Sequence, residues 1–173
     1  MKLLSRPLRC AALAFLAALA PVDSGFAQSN AGCTIQLVGG TGRQVLRCRP
    51  GITITTEAGA SVTLLDRDRN GTVDAARLRS KAILVDAPRG GFEVLTPQAI
   101  AAVRGTRWAV DVAGTRTSVF VVEGSVAVTR RDRTHGVTLG AGEGVDVDPS
   151  SEPLTVRRWG RARATALLAR LGQ

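Results

Sequence analysis

The feature that most constrains this chain is a series of short apolar segments separated by glycine, proline or aspartate. Several of these segments alternate strictly between apolar and polar side chains, as a half-buried strand does. Short strands with a turn every 8–12 residues or so are typical of all-β sandwiches, barrels and solenoids. The segment 96–103 (TPQAIAAV) fits either one helical turn or an extended crossover. The predicted strands are 52–56, 61–64, 82–85, 92–95, 107–112, 117–122, 125–129, 137–139 and 145–147.

Two earlier strands predict a hairpin closed by a disulfide. They flank the turn Gly-Gly-Thr-Gly at 39–42, and a two-residue loop there places Ile35 opposite Leu46 and Cys33 opposite Cys48. Directly opposed strand residues lie about 4.5–5.5 Å apart at Cα, within reach of a disulfide. Free thiols and half of a metal site are the alternatives, and the lack of a nearby histidine disfavours the metal.

The N-terminal segment 1–27 has the composition of an export signal. Basic residues precede an apolar run at 10–20, which is shorter than the roughly 20 residues that cross a bilayer. Small residues suit cleavage after Ala27, and an uncleaved anchor is the alternative. Cleavage would discard Cys10 and leave an even pair of cysteines in an oxidising compartment. We therefore expect a periplasmic or secreted protein without a transmembrane span.

The C-terminal tail, 149–173, is predicted to end in a short basic helix. Its apolar positions, spaced three and four apart, are Ala164, Leu167, Leu168 and Leu171. Its basic residues are Arg157, Arg158, Arg161, Arg163 and Arg170. The helix either docks its leucine face on the domain with the arginines in solvent, or binds an anionic lipid surface or an acidic partner. Trp159 is expected to anchor the tail to the domain.

Residues 66–74 match the first nine positions of a calcium-binding loop. Its oxygen ligands would be Asp66, Asp68, Asn70 and Asp74. However, position 12 is Arg77 where a bidentate glutamate is expected, and a strand precedes the loop where calcium loops have a helix. The alternative is an Asn-Gly turn whose aspartates cap backbone amides.

Composition excludes several classes of enzyme. The one histidine, His135, lies in a polar loop, which excludes a His-rich metal centre and any mechanism that needs two imidazoles. The chain contains no Gly-x-Ser-x-Gly nucleophile motif. We expect a non-enzymatic protein. Calcium is its one candidate cofactor. Export also disfavours nucleic acid as a partner.

Three ordered sequence blocks resemble the FecR domain family. Residues 96–106 (TPQAIAAVRGT) look like the family signature TPxAxAxVRGT, an aliphatic strand ending in Glu-Gly follows, and a Leu-x-Ala-Gly-x-x-Val block spans 139–145. The similarity covers 82–148, and we assign 28–81 to a hairpin and strands of the same domain. The signature residues are Thr96, Pro97, Arg104, Gly105, Thr106, Glu123, Gly124 and Gly142.

The resemblance implies a periplasmic β-rich module with solenoid-like character. In iron-siderophore signalling, family members relay signals from an outer-membrane receptor to a sigma factor, and the full regulators also carry a cytoplasmic sigma-binding segment. No such segment precedes the apolar run at 10–20, so we do not carry sigma-factor regulation over. Within the signature, Arg104 either presents a fork to a carboxylate or phosphate, or belongs to a corner made by Gly105.

Together these patterns predict an all-β FecR domain, solenoid-like or sandwich-like, with an N-terminal disulfide hairpin and a short C-terminal helix. We expect an exported interaction or sensory module that binds a protein or an assembly in the cell envelope. The alternative is a module that binds a carbohydrate or cell-wall polymer, with or without calcium. The aromatic content of 3% weakens that alternative, because sugar sites usually use exposed aromatic rings. A hydrolase is the third hypothesis.

Overall fold

The computed structural model describes residues 32–173, without the side chains of residues 89, 90 and 104. Its strands are β1 (Cys33–Val38), β2 (Arg43–Cys48), β3 (Ile52–Thr56), β4 (Ser61–Leu65), β5 (Ala75–Leu95), β6 (Ala99–Ala113), β7 (Arg116–Glu123), β8 (Ser125–Arg130), β9 (Gly136–Gly140), β10 (Glu143–Val147) and β11 (Arg157–Arg158). One helix, α1 (Arg161–Arg170), follows them. The predicted mostly β domain with a short C-terminal helix is confirmed. The predicted export signal, 1–27, lies outside the described residues.

All strands pair antiparallel in one continuous sheet. The main path runs β1-β2-β3-β5-β6-β7-β10-β11, while β4 pairs with β5, and β8 pairs with β6 and β9. The long β5–β6 hairpin serves both parts of the sheet: β8 pairs with the start of β6, and β7 pairs with its end. The result is a half-barrel, which the predicted solenoid or sandwich describes only loosely.

The β5–β6 hairpin bends at Gly105. On β5 the register shifts between Ala87 and Gly91, so the residues from Pro88 onward bulge opposite Gly105. The φ of Gly105 is 70°, a left-handed conformation that side chains disfavour. This backbone agrees with the corner interpretation of the signature, and the side chain of Arg104 lies outside the described part of the structure.

One face of the sheet encloses the main core, to which strands from β2 to β10 contribute buried aliphatic side chains. Trp108 is fully buried and meets Phe92 edge to face, with the ring centroids 6.3 Å apart. Among the described atoms, Trp108 Nε1 has no hydrogen-bond partner, so apolar packing alone holds this ring.

Helix α1 covers part of the opposite face of the sheet. Its Leu167, and Leu171 directly after it, are buried against β5, β6 and β7, in a second cluster that includes Leu84 and Phe120. Successive strand residues point to opposite faces, so Val85 beside Leu84 belongs to the main core. Docking of the leucine face, one of the two interpretations of the tail, is therefore what the structure shows.

The N-terminal hairpin has the predicted register. Cys33 lies opposite Cys48 and Ile35 opposite Leu46, and the two cysteines form a disulfide. The segment 96–103 is extended, because β6 begins at Ala99. The strands predicted at 82–85 and 92–95 are parts of the single long strand β5.

Candidate functional site

The edge strand β1 is the first candidate binding surface. It ends the sheet path and pairs with β2, and no other described strand pairs with it. Its sequence, CTIQLV, contains neither a charged residue nor a proline, the usual means by which proteins protect an open edge. Ile35 is 43% exposed and Leu37 is 69% exposed, so the edge presents two aliphatic side chains to solvent.

Ile35 and Leu37 lie on the face of β1 that continues the main core. Ile35 pairs with Leu46 of β2, which in turn pairs with Ile54 of β3. Leu46 and Ile54 are buried, whereas Ile35 at the end of this row is not. The apolar layer of the main core therefore continues onto β1, where no other part of the described structure buries it.

A cavity of about 250 Å³ opens beside this edge. Ile35 and Leu46 line it on one side, and Val62 and Leu64 of β4 line it on the other. β4 pairs with β5 and with no other described strand, so the cavity lies between two open edges of the half-barrel. We call β1 and this cavity the open edge.

A second candidate site is a cavity of about 190 Å³ beside β5. It is lined by Arg77, Leu78, Arg79, Thr96, Pro97 and Arg131, and we call it the arginine cavity. No acidic residue lines it, and within the described part of the chain none of its three arginines forms an ion pair. Positive charge therefore accumulates there without compensation.

Buried hydrogen bonds hold the wall of the arginine cavity in place. The Thr96 hydroxyl accepts the Ala99 amide at 2.8 Å, and the Thr117 hydroxyl lies 2.9 Å from the Thr96 hydroxyl. The backbone amide of Arg131 donates to the Gln98 carbonyl at 2.8 Å. These bonds join the turn before β6 to the turn after β8, so both walls are fixed relative to each other.

Three of the four predicted calcium ligands, Asp66, Asn70 and Asp74, accept hydrogen bonds from within the loop. Asp66 accepts the backbone amides of Asn70 and Gly71 at 3.1 and 2.7 Å, and Asp74 accepts Nε of Arg67 at 2.9 Å. Among residues 32–173, no group of three or more His, Cys, Asp or Glu side chains is placed to hold a metal ion. This geometry favours the Asn-Gly turn alternative.

Arg170 ties α1 to the sheet. Its guanidinium donates to Asp111 of β6 at 2.8 Å and also to Glu57. The hydrogen bonds that Arg170 donates to Asp111 and Glu57 raise its pKa. Burial alone would raise the pKa of Glu57, but hydrogen bonds from Arg170 and the Ala82 amide outweigh it and leave that pKa below its ordinary value.

Arg163 and Trp159 make a second tie between the tail and the sheet. Trp159 stacks on Phe120 with ring centroids 4.9 Å apart, and the guanidinium carbon of Arg163 lies 3.6 Å from the Trp159 ring centroid. Arg163 also pairs with Asp146. Burial would raise the pKa of Asp146, but the hydrogen bonds from Arg163 and Ser118 outweigh it and lower that pKa. All five basic residues of the tail are exposed, as the docking interpretation expects, and two of them, Arg163 and Arg170, also bind carboxylates.

Neither cavity is predictable from local sequence patterns. The alternation of Ile35 and Leu37 in an uncharged strand was visible, but the position of β1 at an edge is a property of the whole sheet. Arg77 and Arg79 are close in sequence, but the bulge at Arg79 interrupts the regular alternation of the strand. Nothing local connects them with Arg131, which reaches the cavity through the β8 turn. His135 lies in that same β8–β9 turn.

The part of the chain that resembles known proteins includes most strands of the sheet. A family model described as FecR protein matches residues 37–127, just over half of the chain, from within β1 into β8. No curated protein matches the chain significantly. None of the helical structure in residues 32–173 has the length and apolarity that crossing a membrane requires.

Two solved structures share the fold. Both are crystal structures of a candidate anti-sigma factor from Parabacteroides distasonis ATCC 8503, each with a TM-score of 0.60 and 18% sequence identity. They match 78% and 79% of this chain. The chain spans 64% of the length of those structures, and at this identity the similarity is one of fold.

Proposed function

Because this chain belongs to the FecR protein family, as its signature blocks predicted, we propose that it is a non-catalytic interaction module of a signalling system. It acts outside the cytoplasm, in the periplasm or after secretion, and binds a protein or assembly of the cell envelope. Its fold is that of a candidate anti-sigma factor, a regulatory class, which supports a role in signalling. The Cys33–Cys48 disulfide is compatible with an oxidising compartment.

The observation that carries this proposal is the open edge. An unpaired strand offers backbone amides and carbonyls to an extended segment of another protein, which then becomes the next strand of the sheet. Alternate side chains of that segment would cover Ile35 and Leu37 and enter the cavity beside Val62 and Leu64. The partner strand thereby completes the apolar layer that β1 leaves open.

The surroundings of the open edge define the partner's chemistry. On the other face of the hairpin, Thr34 pairs with Arg47, and both residues are exposed. A partner strand with aliphatic residues at alternate positions and an acidic residue between them would satisfy both faces. Full burial of an aliphatic side chain contributes roughly 1.5–3 kcal/mol, so each of the two anchors accounts for about a tenfold change in affinity.

We would test this proposal by selecting random eight-residue peptides on the purified protein. Enriched peptides are expected to alternate aliphatic with acidic residues and to protect the β1 amides from hydrogen exchange. Leu37→Lys should lower their affinity about tenfold or more. Gln36→Lys is the matched control, because it adds the same charge to the same strand on the face where the acidic peptide residues would lie, so it should leave affinity unchanged or raise it.

Folding of both variants must be compared first. Leu37 is largely exposed, so Leu37→Lys should change the free energy of unfolding by no more than about 0.5 kcal/mol. Peptides that bind Leu37→Lys as tightly as the unsubstituted protein would contradict the proposal, as would a selection without enrichment. Binding to purified peptidoglycan that Leu37→Lys leaves unchanged would favour the polymer-binding alternative instead.

A further inference from the structure

We propose that the arginine cavity is a binding site for a phosphate group. It is formed by Arg77 and Arg79 on β5 and by Arg131 after β8, with Pro97 between them. It is separate from the open edge, and the proposal does not depend on the partner strand. Two of its lining residues, Thr96 and Pro97, belong to the family signature.

No acidic residue lines the arginine cavity. By contrast, Arg67 pairs with Asp74 and Glu93 at 2.9 and 2.7 Å. Three arginines line this cavity and no acid does, so their like charges repel one another. A bound anion would remove this repulsion and accept their hydrogen bonds.

The number of arginines around the cavity bears on the kind of anion. Arg77 and Arg79 both line the cavity from β5, where Arg79 is the extra residue of a bulge opposite Ser61 and Val62. Arg131 approaches from another element. One guanidinium fork saturates the two oxygens of a carboxylate, whereas the additional oxygens of a phosphate can accept from three forks. The set of donors therefore favours phosphate over carboxylate.

The backbone around the arginine cavity is held in place before any ligand binds. Leu78, between the two β5 arginines, is fully buried and fixes the strand on which they stand. The Thr96–Ala99 and Arg131–Gln98 hydrogen bonds fix the remaining walls. The cavity of about 190 Å³ accommodates several water-sized atoms, since one water occupies about 30 Å³ of liquid, and a phosphate group has five heavy atoms. Binding therefore requires little movement of the backbone.

The test is an NMR titration of the purified protein that follows the Nε–H signals of its arginines. Inorganic phosphate and pyrophosphate should shift the signals of the three cavity arginines saturably, whereas acetate at the same ionic strength should not. Arg131→Gln should weaken phosphate binding about tenfold. Arg133→Gln is the matched control, because Arg133 is exposed in the same turn but does not line the cavity, and it should leave affinity within about twofold.

Vesicles distinguish the source of the phosphate. Co-sedimentation with phosphatidylglycerol vesicles that is lost in Arg131→Gln and kept in Arg133→Gln would identify a lipid head group, and binding of free phosphate alone would identify a small molecule. Equal binding of acetate and phosphate would overturn the proposal, and so would equal losses in the two variants. The absence of any saturable shift in the presence of an intact fold would also overturn it.

Discussion

At the residue scale, Gly124 shows how tightly the corner of the β5–β6 hairpin is packed. Its φ is 86°, and a Cβ atom at this position would lie 2.8 Å from the Gly105 carbonyl oxygen and 2.9 Å from the Thr106 hydroxyl. That hydroxyl donates to the Ser125 carbonyl at 2.8 Å, so it is not free to move aside. Both the backbone conformation and the close approach require glycine here.

Gly124→Ala is therefore expected to lower the free energy of unfolding by about 2–4 kcal/mol, since the left-handed conformation costs roughly 1–2 kcal/mol and the displaced backbone adds to it. Gly114→Ala is the matched control. Gly114 also has a positive φ, 59°, but a Cβ there would meet no atom within 4 Å. Gly114→Ala should lower the free energy of unfolding by about 1–2 kcal/mol. Urea unfolding of both variants measures the difference, and equal losses would show that close approach contributes nothing.

Some residue-scale features were predictable because they depend on neighbours in sequence. The turn at 39–42 fixes the register of its hairpin, and the register alone brings Cys33 to Cys48. The Asp66 hydrogen bonds to Asn70 and Gly71 are equally local. For Gly124, the glycine marks a turn, but its contact with Gly105 depends on the approach of two strands.

At the element scale, the attachment of α1 should depend on pH. Glu57 and Asp146 accept hydrogen bonds from Arg170 and Arg163, and both carboxyl groups have a lowered pKa in the folded protein. A lowered folded pKa means that the unfolded chain binds more protons near the ordinary carboxyl pKa of about 4. Their contribution is therefore complete above that pKa and is lost as the pH falls through the lower folded pKa values.

The double variant Glu57→Gln, Asp146→Asn isolates this effect. It should be less stable at neutral pH by about 1 kcal/mol, because both ion pairs are partly exposed and screened by solvent. Between about pH 5 and pH 2, its free energy of unfolding should fall less steeply than that of the unsubstituted protein. Urea unfolding at several pH values measures both slopes, and parallel slopes would contradict the assignment. Hydrogen bonds from Thr134 and Ser150 lower the pKa of Asp132 and Asp148, which both proteins retain.

Most strands were predictable from the local alternation of apolar and polar residues. That two predicted strands join into the single strand β5 was not. The strands at 52–56 and 117–122 follow from the pattern of valine, isoleucine and threonine. Pro88 and Gly91 indicated a break, whereas the register shift absorbs them as a bulge within β5. Helix α1 was predicted, but Glu57 and Asp111 lie 113 and 59 positions from Arg170, and no local pattern contains that information.

At the scale of the whole molecule, β5 and β6 belong to two cores at once. On β5, Ile83 and Val85 face the main core, and Leu84 faces the helix. On β6, Trp108 and Val110 face the main core. Disruption of either strand therefore exposes apolar surface on both faces of the sheet. The open edge and the arginine cavity also arise at this scale, because each is lined by elements that are distant in sequence.

This sharing predicts one cooperative unfolding transition for sheet and helix, and the two tryptophans can report on it separately. Trp108 is in the main core, and Trp159 packs against the cluster beneath α1. In Trp159→Phe the remaining fluorescence follows the main core, and in Trp108→Phe it follows the attachment of the tail. Within each variant, the fluorescence midpoint in urea should coincide with the circular dichroism midpoint of the sheet. An earlier fluorescence change in Trp108→Phe, with coincidence kept in Trp159→Phe, would show that α1 detaches while the sheet remains folded.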